Sequence, residues 1–212
     1  MGRQRTTIQT SSDVTTGKTT LTLKILLASA TLAVGLTGPQ IPNVTEAPEI
    51  QHLPVIPYKA SWKCEDCSLE EQYVLEQLQE HTKISDRNAL ATIMGNIKQE
   101  SKFIPNICEG GDRVSYNDCH SGGYGLIQWT SIGRYNNLGK FCDKYGCDPS
   151  SLEGQTRYMI NESVFQRYLP EFEGRGKTVQ QYMVPAYYWL GWGIKGPRET
   201  YAYQYTKKLV WS

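Results

Sequence analysis

"DRNALATIMGNIKQESKFIPN", residues 86–106, is the stretch on which the fold turns. Ala89, Leu90, Ile93, Met94 and Ile97 recur at helical spacing, and Ser85 or Asp86 stands where an N-cap belongs. The pattern predicts a helix that Pro105 ends, because the residue before a proline avoids the helical region. Glu100 lies three residues after Ile97 and seven after Ile93, so it shares their apolar stripe. A carboxylate beside apolar groups loses solvation of its charged form, and its pKa rises. An acid that stays protonated near neutral pH can hand a proton to a leaving oxygen. Glu100 is therefore the leading candidate for a catalytic acid; the plainer alternative is a helix-end charge that bends back to water.

The flanking elements follow from similar signals. Ser68 with Glu71 three residues on forms a capping box before Val74, Leu75 and Leu78, which predicts a helix over 69–81. After Pro105 the segment "NICEGGDRVSYNDCHSGGYGL" (106–126) has five glycines and no helical period, and reads as a loop or small β-hairpin. "SIGRYNNLGKFCDKYG" predicts a third helix. "SSLEGQTRYMINESVFQRYL" predicts a fourth, with Ser150 and Glu153 as a second capping box. From Val179 the chain is helical in part and dense in Tyr and Trp. The fold class expected is α+β, mostly helical, with one small β-hairpin after the second helix.

The first third of the chain is of another kind. Residues 1–38 carry Arg3, Arg5, Lys18 and Lys24 against Asp13, and end in the apolar run "ILLASATLAVGL" (25–36). Twelve residues fall short of the ~20 that a spanning helix needs, so a signal peptide and a short membrane anchor both remain open. Any membrane contact is expected through residues 25–36 alone. Residues 39–63 are proline-rich and predict an extended linker. The body, 64–212, carries 16 basic and 18 acidic side chains, a balance that argues against nucleic acid as a partner.

The six cysteines, Cys64, Cys67, Cys108, Cys119, Cys142 and Cys147, make three local pairs when taken in order. An even count behind an export-like segment suggests disulfides, although six cysteines allow fifteen connectivities. "CEDC" (64–67) has no second CxxC and no histidine at ligand spacing, which disfavours zinc. His52, His81 and His120 show no ligand spacing either. No metal and no cofactor is expected. Sequons occur at Asn43 and Asn161 and matter only in a glycosylating pathway.

"GGYGLIQWT" (122–130) combines glycines that permit close backbone approach with a donor–acceptor side chain, Gln128, and two flat rings, Tyr124 and Trp129. Sugars offer hydroxyls to bind and C–H faces to stack, and this mixture suits them; a tight turn packed by core aromatics is the alternative. Trp189 and Trp192 are further candidates for a sugar platform.

Taken together, "ALATIMGNIKQESKFIPN", "GGYGLIQWTSIGRYNNL" and "SLEGQTRYMINE" resemble the phage tail lysozyme family and, more loosely, the lytic transglycosylases of the goose-type lysozyme superfamily. The resemblance covers roughly residues 69–170. It implies a lysozyme-like fold and cleavage of the β-1,4 bond between N-acetylmuramic acid and N-acetylglucosamine in peptidoglycan. It places the acid at Glu100 and the sugar cleft at Gly125, Leu126 and Gln128. It also implies export to the periplasm or beyond, or a place in a virion with other tail components as partners. The Ala-Tyr-Asn motif of many transglycosylases has only "PAYYWLGWG" (185–193) as a counterpart, with Tyr188 where the Asn would stand. Glycosidases commonly pair their acid with a second carboxylate. Glu109, Asp112 and Asp118 are the candidates here, Asp112 first, and the sequence does not choose among them. Three readings stay open: a muramidase, a lytic transglycosylase, and a wall-binding or virion structural protein that keeps the shape without turnover.

Overall fold

The computed structural model describes residues 60–120 and 122–212. In chain order the elements are β1 (Trp62–Cys64), α1 (Leu69–His81), α2 (Arg87–Ser101), α3 (Ile132–Tyr145), α4 (Leu152–Asn161), α5 (Ser163–Phe172), α6 (Val179–Leu190), α7 (Arg198–Lys208) and β2 (Leu209–Trp211). The two strands pair antiparallel, with Trp62 opposite Trp211 and Cys64 opposite Leu209. The sheet therefore joins the start of the folded body to its end.

Helix α2 is the axis of the domain. Every residue from Ala89 to Ile97 is buried, as expected of a helix surrounded on all sides. Its polar members make this tolerable by bonding to their own helix. The Thr92 hydroxyl donates to the Asn88 carbonyl at 2.7 Å, and Asn96 Nδ2 donates to the Thr92 carbonyl at 2.8 Å. The most extensive packing of α2 is against α7, followed by α6. Asp86 caps its N-terminus by accepting from the backbone N–H groups of Asn88 and Ala89.

The other end corrects an expectation. Pro105 does not end α2; the helix stops at Ser101 through two consecutive left-handed residues, Lys102 (φ 54°) and Phe103 (φ 64°). The Ser101 hydroxyl accepts from the Phe103 N–H at 3.1 Å, and the Phe103 ring is drawn into the core beside Tyr205. That burial holds a turn that non-glycine residues otherwise avoid.

α1 has the predicted limits and capping box. The predicted fourth helix is two. Ser151, not Ser150, caps α4, while the Ser150 hydroxyl accepts from the Tyr116 N–H. The helix breaks at Glu162, whose backbone turns extended (ψ 132°) and whose carboxylate takes both Nε and Nη2 of Arg134, at 2.6 and 2.7 Å. In the glycine-rich segment the hairpin exists as isolated antiparallel bridges, Ile107 to Arg113 and Cys108 to Tyr124, around a single 3₁₀ turn at Tyr116–Asp118. The cysteines pair locally as 64–67, 108–119 and 142–147. Among the described residues no helix is long and apolar enough to cross a membrane. The leader, its apolar run 25–36, His52, the Asn43 sequon and most of the linker lie outside the described residues.

Candidate active site

Glu100 is the penultimate residue of α2. The segment 122–130 is pinned against this helix end from two sides. The Ser101 hydroxyl donates to the Leu126 carbonyl at 2.7 Å. From α4 the fully buried Gln155 accepts from the Leu126 N–H at 2.7 Å and donates to the carbonyls of Pro105 and Pro149. Gly125 is obligatory here: its φ is +72°, and a Cβ would lie 2.3 Å from Gln155 Oε1. Gln128 adopts φ 52° and donates from Nε2 to the Gly125 carbonyl at 3.1 Å.

A cleft of about 690 Å³ opens beside this junction, and Glu100, Gln128, Arg134, Trp192, Ile194 and Arg198 are among its walls. Arg198 begins α7 and is buried. Its Nη2 donates to Glu100 Oε1, its Nη1 donates to the carbonyls of Ile194 and Lys195, and its guanidinium lies 4.8 Å over the Trp192 ring. The helix thus turns its carboxylate toward the edge of a cleft, where an arginine meets it. The Glu100 side chain is only 15% exposed. Burial pushes its pKa above the ordinary carboxylate value, against the opposing pull of Arg198 and, farther off, Arg134. The acid is therefore not alone among apolar groups, as its stripe suggested, but its burial still favours the protonated form.

The other predicted site residues divide sharply. Gln128 faces the cleft. Gly125 and Leu126 are buried in the supporting turn. Tyr124 and Trp129 are fully buried: Tyr124 packs edge-on to Tyr116 and Tyr135, and Trp129 packs on Tyr158. They brace the loop and offer no face to a sugar. Trp189 is likewise in the core against Phe165, whereas Trp192 is on the cleft wall. Tyr188, at the place of the missing Asn, points outward and stacks on Tyr168.

None of Glu109, Asp112 and Asp118 lines the cleft. All three are exposed; Glu109 accepts from the Gly123 N–H at 2.8 Å, and Asp118 accepts from the Ser115 hydroxyl at 2.5 Å. The carboxylates of Glu109 and Asp118 brace the glycine-rich segment, and Asp112 does so through its backbone carbonyl, which accepts from the Cys108 N–H. Glu100 is the one carboxylate among the described residues of the cleft. No group of three or more His, Cys, Asp or Glu that could hold a metal occurs among the described residues. Arg134, Arg198 and the helix-splitting Glu162 escape sequence reasoning. Neither arginine has a spacing relation to Glu100 that periodicity could detect.

A mostly helical domain with a small sheet, whose buried central helix ends in a carboxylic acid at a cleft, is a lysozyme-like protein. The chain belongs to the phage tail lysozyme family, whose profile matches residues 70–186. No curated protein and no solved structure matches it. Membership gives a lysozyme-like, peptidoglycan-degrading function at the level of class.

Proposed function

We propose that the protein cleaves the β-1,4 bond between N-acetylmuramic acid and N-acetylglucosamine, with Glu100 as general acid. The observation that carries this reading is the largely buried Glu100 carboxyl at the wall of the cleft, with its pKa raised by desolvation. The proton moves from Glu100 to the glycosidic oxygen as the C1–O bond breaks and its electron pair goes to that oxygen. Arg198 then stabilises the carboxylate that is left, and Trp192 supplies a flat face for a sugar ring. In the hydrolytic course water attacks C1 and returns a proton to Glu100.

A second reading is favoured by the cleft itself. With Glu100 as its one carboxylate among the described residues, the cleft offers no evident base for water. A transglycosylase needs none: the 6-hydroxyl of the muramic residue attacks its own C1, and Glu100 takes that proton. The place of action we propose is outside the cytoplasm, in the periplasm, beyond it, or on a virion among tail components. The leader 1–38 and linker 39–63 would then deliver and tether the catalytic body 64–212.

Digestion of purified peptidoglycan by wild type and Glu100→Gln, followed by product masses, tests all of this. Loss of turnover by about 10²–10⁴ in the variant supports the acid. Reducing ends identify the hydrolase, and products lighter by one water identify the 1,6-anhydro end of the transglycosylase. Equal rates for the two proteins would remove Glu100 from the mechanism. Wall binding without clearance by either protein would leave a non-catalytic binder.

A further inference from the structure

The N-terminal end of α2 borders a second groove, of about 600 Å³, that the catalytic reading does not use. Its walls include Trp62, Trp211, Arg87, Arg175, Asp86 and Ser85. Arg87 and Glu100 are thirteen residues apart on one helix, about 20 Å along its axis, so the groove is a separate site. Three hydrogen bonds fix its shape. Asp86 Oδ2 accepts from the Gly176 N–H at 2.8 Å, Asn88 Nδ2 donates to the Lys177 carbonyl at 2.9 Å, and Glu173 accepts from the Lys83 N–H at 3.0 Å. They hold the loop that carries Arg175 against the start of the helix that carries Arg87.

The chemistry of the groove is cationic and aromatic. Both arginines are exposed, and neither takes part in an ion pair among the described residues. The one acid in the wall, Asp86, is committed to backbone N–H groups of Asn88, Ala89 and Gly176. Trp211 is 54% exposed and meets Trp62 edge to face at 5.3 Å, while Arg87 lies 5.8 Å over Trp62. The Ser85 hydroxyl on the wall is buried without a partner. Exposed indole beside two unpaired guanidinium groups matches a sugar polymer that bears carboxylates: rings stack on Trp, and Arg takes the anion in its planar fork.

We infer that this groove is a second, non-catalytic binding site for peptidoglycan, recognising muramic-acid-bearing strands through their lactyl or stem-peptide carboxylates. The inference rests on the peptidoglycan reading above. Its role is to hold the enzyme on an insoluble wall while the cleft acts on a neighbouring stretch.

The test uses the full chain with Arg87→Gln, Arg175→Gln and both together, melting temperature serving as the check of folding. Binding to insoluble peptidoglycan is measured by sedimentation in a Glu100→Gln background, where the wall is not consumed. Turnover of a short soluble muropeptide oligomer is measured with Glu100 intact. The expected result is weaker wall binding, roughly fivefold per arginine and less so at high salt, with soluble turnover unchanged. Neutral N-acetylglucosamine oligomers should compete for the groove far less well than muropeptides. Wall binding by the folded double variant that equals its parent overturns the proposal, as does equal competition by the neutral oligomers. So does a matching loss on the soluble substrate, which would place the effect in the cleft. Arginine-dependent binding by a wild type that cuts nothing would keep the groove and discard the catalytic reading.

Discussion

Gly95 sits in the middle of α2, where glycine is about 1 kcal/mol less favourable than alanine. On helix propensity alone, Gly95→Ala should stabilise the protein. The tertiary contact predicts the reverse. A Cβ at this position would lie 2.4 Å from the Ala202 nitrogen, 2.8 Å from its Cα and 2.9 Å from the Arg198 carbonyl oxygen. All three are backbone atoms of α7 and cannot rotate away. Restoring ordinary contact requires α7 to retreat from α2 by about 1 Å. Overpacking costs about 1–3 kcal/mol, and three contacts to fixed backbone put this site in the upper half of that range; less about 1 kcal/mol for the better helix former, a net loss of about 1–2 kcal/mol is expected. For a domain of this size that lowers Tm by about 2–8 °C. The same retreat carries Arg198 away from Glu100, and a displacement of about 1 Å at a reacting centre can cost on the order of 100-fold in rate. Thermal unfolding and a peptidoglycan-clearing assay on the purified variant read both effects. A variant that melts at or above the wild-type temperature would refute the argument that close helix approach requires this glycine.

Three further outcomes follow from the same structure. Replacing Cys108 and Cys119 by serine opens a loop with a sequence separation of 11 and should cost about 3 kcal/mol on the chain-entropy model; unchanged melting of the double variant would count against a structural role for the bridge. Glu71 is buried, which works to raise its pKa, but bonds from the Tyr205 hydroxyl and the Ser68 N–H and the charge of Lys98 outweigh burial and leave it lowered. Its stabilisation is present above the ordinary carboxylate pKa and is lost as pH falls through the lowered one, so Glu71→Gln should flatten the acid side of the Tm–pH curve; parallel curves for the two proteins would contradict this. Glu100 has the opposite sign. Its pKa is raised, so its contribution is full below about 4.5 and disappears as pH rises through the folded value. Glu100→Gln should therefore gain on wild type in Tm from acid toward neutral pH, and a constant difference between them would sink the assignment.

Much of the local architecture was legible. The Ser68–Glu71 capping box placed the start of α1, and apolar spacing identified α2 with a cap at Ser85 or Asp86, of which the fold uses Asp86. Those signals act within one or two turns of chain, where hydrogen bonds and periodicity are local. The break at Glu162 was not legible, because the partner that holds its carboxylate, Arg134, lies 28 residues away. The αL turn at Lys102 and Phe103 was hidden for a similar reason: the burial of Phe103 among distant residues holds it there. Tyr124 and Trp129 had the chemistry of sugar-binding rings, and only their burial shows that they serve the loop instead.

From residues alone came the class of fold, six cysteines in three neighbouring pairs, a family resemblance in three motifs, and the one acid on an apolar stripe. Periodicity and short-range spacing encode the helices and that stripe directly, but not which cysteines bond, since six allow fifteen connectivities. Tertiary structure alone decided that Glu100 faces an arginine 98 residues distant, that Trp192 rather than Trp129 reaches the cleft, and that none of Glu109, Asp112 and Asp118 joins the acid there. Such meetings depend on how α2 and α7 pack, and packing through a glycine contact leaves no periodic trace along the chain.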